Sequence, residues 1–165
     1  MAEWVRVSLE NFSLSLFVVA VFIIVVQKMI VGRRQSNSEI VFKWIALLPL
    51  GLTGIYTFIM HAFFPEITAT NIGWRDSPFQ YEVAMADLAI GVLGVLSFQA
   101  SFGFRLATVI GATIWLWGDA FGHMHQIIKF HNLARGNAGS WLWMDLIIPF
   151  ILLISLLGLR RDSYE

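Results

Sequence analysis

The sequence predicts an all-α integral membrane protein: a helical bundle of five transmembrane helices, with the N-terminus outside and the C-terminus inside. Of its 165 residues, 58% are hydrophobic and only 13% are charged, more apolar surface than a water-soluble domain of this size can hide. Five apolar runs of near-bilayer length follow one another, and no interval between them could house a soluble domain, so 1–165 reads as a single transmembrane domain. Eleven Lys and Arg balance eleven Asp and Glu, and Cys is absent. That balance sets aside disorder, a cationic nucleic-acid binder and a disulfide scaffold.

The runs are Phe12–Met29, Trp44–Phe64, Val83–Phe102, Leu106–Ile127 and Trp141–Leu159. Each approaches the roughly 20 residues that cross a bilayer as a helix at about 1.5 Å per residue. Lipid cannot hydrogen-bond the backbone, so each segment must satisfy its own amides, and helices do so. The first run is too long for a signal-peptide core and its leading segment carries Glu3 and Glu10, which predicts a retained helix. The third and fourth runs are parted only by the weakly polar Gln99–Arg105 stretch, which predicts two spans joined tightly. Ser77-Pro78-Phe79-Gln80 predicts that the third helix starts at Pro78, with Ser77 as N-cap and Gln80 at N3.

Orientation follows from the short-loop cations. Lys28, Arg33, Arg34, Lys43, Arg105, Arg160 and Arg161 fall on one side; Arg6, Arg75, Lys129 and Arg135 fall on the other. Seven against four places the first set inside. Counting Glu39, Asp162 and Glu165 with the inner set gives +4, and the eight remaining acids leave the outer side at −4. Net neutrality therefore hides an axial charge split.

Four acids, Glu82, Asp87, Asp119 and Asp145, fall in the outer halves of the last three helices. Intramembrane acids face a partner, a cavity or water, because hydrocarbon solvates them poorly. Asp87 has Ala84, Gly91 and Gly94 at i−3, i+4 and i+7, so it faces another helix; Glu82 has small Ala86 and Ala89 on its own face. In the fourth helix Asp119 and His123 are four apart and share a face with Gln126. These groups predict one outward-opening carboxylate–imidazole pocket. As a metal site its ligands would be Asp119, His123, Glu82, Asp87, Asp145 and His61, and a divalent metal, Zn, Fe or Mn, is the cofactor such a donor set would take. As a catalytic site, Asp119 would orient His123 while Glu82 or Asp87 handles a proton. His125 and His131 are expected at the surface, and Asn132, Arg135 and Asn137 read as ordinary loop polarity.

The Ser77-Pro78-Phe79-Gln80-Tyr81-Glu82-Val83 segment, with Asp87 and Gly91/Gly94, resembles small bacterial multi-span membrane proteins of uncharacterised families, DoxX-like in the broad sense. Gly118-Asp119-Ala120-Phe121-Gly122-His123 and Asn137-Ala138-Gly139 extend the resemblance over roughly residues 70–150. It implies a compact helical bundle in the bacterial cytoplasmic (inner) membrane and carries no reaction onto these residues. The expected function is an outward carboxylate/histidine pocket that binds a divalent metal and acts on an amphiphilic small molecule. The expected partners are membrane lipids, with a homo-oligomer or a larger membrane complex. The alternatives are a non-enzymatic structural or accessory subunit, and a quinone- or haem-binding protein.

Overall fold

The computed structural model describes residues 3–162, all helices and connecting turns, with no strand among the described residues. The short α1 (Glu3–Glu10) leads into α2 (Phe12–Val31). A single 3₁₀ turn, Gly32–Arg34, connects to α3 (Asn37–Ile45), which continues through Ala46–Leu52 into α4 (Thr53–Phe63). Then follow α5 (Pro65–Ile72), α6 (Phe79–Leu96), α7 (Phe102–Phe130), α8 (Arg135–Ala138) and α9 (Ser140–Asp162). The side chains of Arg6, Arg33 and Arg161, used above for orientation, lie outside the described residues.

Four stretches are long and apolar enough to cross a membrane: Phe12–Val31, Asn37–Phe63, Phe79–Gln99 and Arg135–Arg160. The fourth sequence-predicted span corresponds to α7, the longest helix at 29 residues. It is long enough, but Asp119, His123, His125, Gln126 and Lys129 crowd its C-terminal half and dilute its hydropathy.

The long segment from Asn37 to Phe63 shows how local sequence sets shape. Pro49 has no N–H to donate, and its ring collides with the carbonyl four residues back in a regular α-helix. Around it, Ala46–Leu52 is wound as a π-helix, and the Thr53 N–H reaches Leu48 O. The widened turn lies where α6 packs closest, and glycine makes that approach workable. A Cβ added at Gly54 would stand 2.7 Å from the Gly91 Cα, and one at Gly91 would stand 2.7 Å from the Ile55 N. The expectation that Asp87, Gly91 and Gly94 face a neighbouring helix is met, and that neighbour is α4 with the π-helical turn that leads into it. The companion expectation of a second tight face on Glu82 is not: Glu82 and Ala89 are exposed.

The apolar core lies toward the opposite end from α5, where Ile40, Phe42, Ile45, Val109, Ile148 and Leu152 are buried together. It is closed by a clamp. Arg105, 6% exposed, reaches both carboxylate oxygens of Glu39 at 2.6 and 3.0 Å and donates to Ser97 O and Phe98 O. Its guanidinium lies 4.8 Å from the Phe42 ring centroid, and Lys43 reaches Glu39 at 3.0 Å.

Candidate functional site

At the α5 end the helices splay around a cavity of about 920 Å³, in the size range of small-molecule sites. Asp87 from α6, Asp119 and His123 from α7, Asp145 from α9 and His61 from α4 all line it. Three of the four sequence-predicted acids therefore converge with both predicted histidines. Glu82 does not join them; it points away from the cavity on the exposed side of α6. Gln126 is also absent from the wall, which ends at His123 on the α7 face.

The local start of α6 explains how His61 is held. The predicted capping box does not form: α6 begins at Phe79, and Ser77 makes no side-chain cap. Gln80 instead turns its amide across the α4–α6 gap. Its Nε2 donates to Pro65 O (3.1 Å) and to Asp76 Oδ1, so its Oε1 must be the atom facing His61 Nδ1 at 3.1 Å. An amide oxygen only accepts, so His61 donates from Nδ1, and the neutral ring keeps Nε2 as an acceptor.

His123 is held the same way by Asn137, a residue read above as ordinary loop polarity. Asn137 sits in α8 with none of its surface exposed. Its Nδ2 donates to the backbone carbonyls of Asn132 (2.9 Å) and His123 (3.3 Å). Its Oδ1 accepts from the Trp74 indole N–H at 3.0 Å, and an indole can only donate. The same Oδ1 lies 2.9 Å from His123 Nδ1, so that nitrogen also carries a hydrogen. His123 Nε2 is left pointing toward Asp145 Oδ2, 3.9 Å away. The predicted catalytic pairing is thereby corrected: Asn137 orients His123, Asp145 faces its free nitrogen, and Asp119 does neither.

Asp87 accepts from the Trp115 indole at 3.1 Å, and Trp115 lines the cavity; Trp117 is exposed and donates to Leu146 O. Asp119 makes no hydrogen bond or ion pair with any described residue. Phe12, Tyr56 and Trp141 stack in sequence beside the cavity, with ring centroids 4.1 and 6.4 Å apart. Tyr56 donates to Leu9 O and Trp141 to Glu10 O, which ties the α1 backbone over this end. Exposed Phe64, Ile67 and Phe79 form an apolar rim, with Arg75 also at the surface.

The six-residue metal set does not assemble as a unit. Among the described residues no three His, Asp or Glu side chains form a group that could hold a metal ion. The ligands come from four helices that the cavity itself keeps apart, and the Nδ1 atoms of both histidines are engaged by amides. His125 and His131 are exposed, as expected, and Asn132 and Arg135 serve structure. Asn132 donates to Ile72 O, and Arg135 pairs with Glu10 at 3.3 Å.

Fold and site together define a class: a small all-helical protein, with four stretches apolar enough to cross a membrane, that encloses a cavity lined by buried carboxylates and oriented histidines. Within that class, the chain belongs to a family of unknown function, DUF6790, whose pattern matches residues 10–165. Comparison with curated proteins and with solved structures finds no match. The family result supports the expected kinship with proteins of unknown function and lends nothing to a DoxX-type likeness.

Proposed function

We propose that this chain is an integral membrane protein whose α5 end faces outward and whose cavity binds an amphiphilic small molecule. One observation carries the reading: buried carboxylates and two oriented imidazoles share a roomy cavity with aliphatic and aromatic walls and an apolar rim. A site with a few convergent polar groups among apolar walls suits a ligand with a polar head and an apolar body. The rim of Phe64, Ile67 and Phe79 suits entry from the lipid–water boundary. Exposed Val18, Phe22, Val25, Met29 and Ile30 give α2 a lipid-facing side. In this arrangement α2, the α3–α4 segment, α6, α7 and α9 are five spans, with the N-terminus outside.

Binding is tested with full-length protein in nanodiscs, by thermal unfolding against a panel of amphiphilic alcohols, amines, quinols and acids. A ligand that raises the midpoint for the native chain and not for Leu116→Trp, which fills the cavity wall, supports the reading. A panel that leaves both chains unmoved sinks it. Because the chain has no Cys, single cysteines at Arg34 and Thr70 test orientation cleanly. An impermeant maleimide applied from outside should label Thr70→Cys and spare Arg34→Cys, and the reverse pattern inverts the topology.

The Asn137–His123–Asp145 line favours a second reading, proton handling on the bound molecule. His123 Nε2 is the acceptor that general-base chemistry requires, held in one tautomer. Turnover of a bound amphiphile that disappears in His123→Gln, with binding retained, is the outcome that reading requires.

A further inference from the structure

We infer that the ligand of this cavity has a cationic, hydrogen-donating head on an apolar body: a hydrophobic ammonium. The inference rests on the amphiphile-binding reading above and specifies its ligand. It comes from sorting the polar groups of the wall into donors and acceptors.

The ring donors of the wall are engaged by the chain itself. Trp74 donates to Asn137, Trp115 to Asp87, Trp141 to Glu10 O and Tyr56 to Leu9 O. The acceptors are left open. Asp119 has no hydrogen bond to a described residue, and Asp145, 9% exposed, has none either, with His123 Nε2 lying 3.9 Å from its Oδ2. Asp87 takes the Trp115 N–H and is also met by the Thr57 hydroxyl, so it is the best satisfied of the three. The Nε2 atoms of neutral His61 and His123 are acceptors by the tautomers their amides impose. Among the described residues no Lys or Arg forms an ion pair with any of the three aspartates.

A separate feature also points to a missing partner. Thr53 lines the cavity beside the π-helical turn, is 8% exposed, and its Oγ1 makes no hydrogen bond. Buried polar groups are normally paired, and an orphan indicates a site completed by something else.

A wall whose indole and phenol donors are engaged, whose Asp119 and Asp145 are open, and whose described cation, Arg75, stays at the exposed mouth complements a ligand rich in N–H donors. Positive charge adds charge-assisted bonds to the carboxylates and attraction to the aromatic walls. An anionic head finds no described cation beside the three aspartates, Arg75 lying at the exposed mouth. A neutral alcohol offers a single donor to several acceptors. A bare metal ion lacks a converging triad.

The test compares octylammonium, octanol and octanoate, which share an apolar body and differ in head. Each is titrated at neutral pH into the full chain in phosphatidylcholine nanodiscs, read by tryptophan fluorescence against empty discs. The expected order is octylammonium at least about tenfold tighter than octanol, with octanoate weakest. Asp119→Asn with Asp145→Asn should abolish the preference, while Glu82→Gln, which removes a carboxylate outside the cavity, should keep it. Equal affinity for all three heads overturns the cationic inference and leaves the amphiphile pocket standing. Tightest binding by octanoate overturns the cationic head outright. Absence of binding by any head overturns the pocket reading as well. The ranking on the unmodified chain needs no variant, so a misfolded double mutant does not shield the proposal.

Discussion

The two ends of this molecule treat the same side-chain chemistry in opposite ways. At the end away from α5, the Glu39 carboxylate is gripped at both oxygens by Arg105 and again by Lys43. At the α5 end, Asp87, Asp119 and Asp145 line an open cavity, and no described Lys or Arg is bonded to any of them. The first is a closed network whose product is a fixed helix arrangement. The second gathers carboxylates with few partners from the chain around a cavity, an arrangement that contributes little to stability and makes sense as a binding surface. A carboxylate's role is thus set by whether its partners are built into the chain.

The largest expected effect lies in the clamp. Arg105→Ala should destabilise the protein by about 4 kcal/mol, because Glu39 and the carbonyls of Ser97 and Phe98 lose their shared donor in a buried setting. Thermal unfolding in nanodiscs measures it. Arg105→Lys should recover only part of the loss, since an ammonium cannot reproduce the planar two-bond grip. A loss under 1 kcal/mol for the alanine variant would erase the contrast between the two ends.

Asn137→Ala comes next, at about 3 kcal/mol, because it strands two carbonyls, an indole N–H and a histidine N–H. It should also release the His123 tautomer, which nitrogen NMR of labelled histidine reports directly. A ring that stays Nδ1-protonated in the variant would mean another group fixes it. Gly91→Ala should follow at about 2 kcal/mol, since the new methyl group meets α4 backbone rather than a side chain that can move aside.

Much of this was readable from the sequence, and the boundary is physical. Hydrophobic run length gave the long helices, because bilayer-scale apolar segments have few other structures open to them. Small residues at i−3, i+4 and i+7 gave the buried face of Asp87. The partner of His123 was not legible. Asn137 lies fourteen positions away in a Gly-rich stretch that folds as the short α8, and its role depends on Trp74 arriving from a third segment to fix which way its amide points. Gln80 was misassigned for a related reason: at N3 it matches a capping box, and only the tertiary approach of His61 and Pro65 O draws it elsewhere. Glu82 and Asp87 are both acids of the outer half of one helix, five residues apart; their different fates follow from which face of α6 packs against the glycine of α4.

The smallest stability effects discriminate most sharply between the two ends. Asp119→Asn removes a carboxylate that bonds to no described residue, so stability should change by less than about 1 kcal/mol, and toward greater stability, because the acid is half-buried with Asp87 and Asp145 nearby. Glu82→Gln, on the exposed side of α6, should lie within about 0.5 kcal/mol of the native chain. By unfolding alone the two variants would then be hard to tell apart from harmless surface changes. Only ligand affinity separates them, with Asp119→Asn weakening a cationic amphiphile and Glu82→Gln leaving it bound. If Asp119→Asn instead unfolds the protein as Arg105→Ala does, Asp119 has an internal structural role and the cavity end is a second clamp.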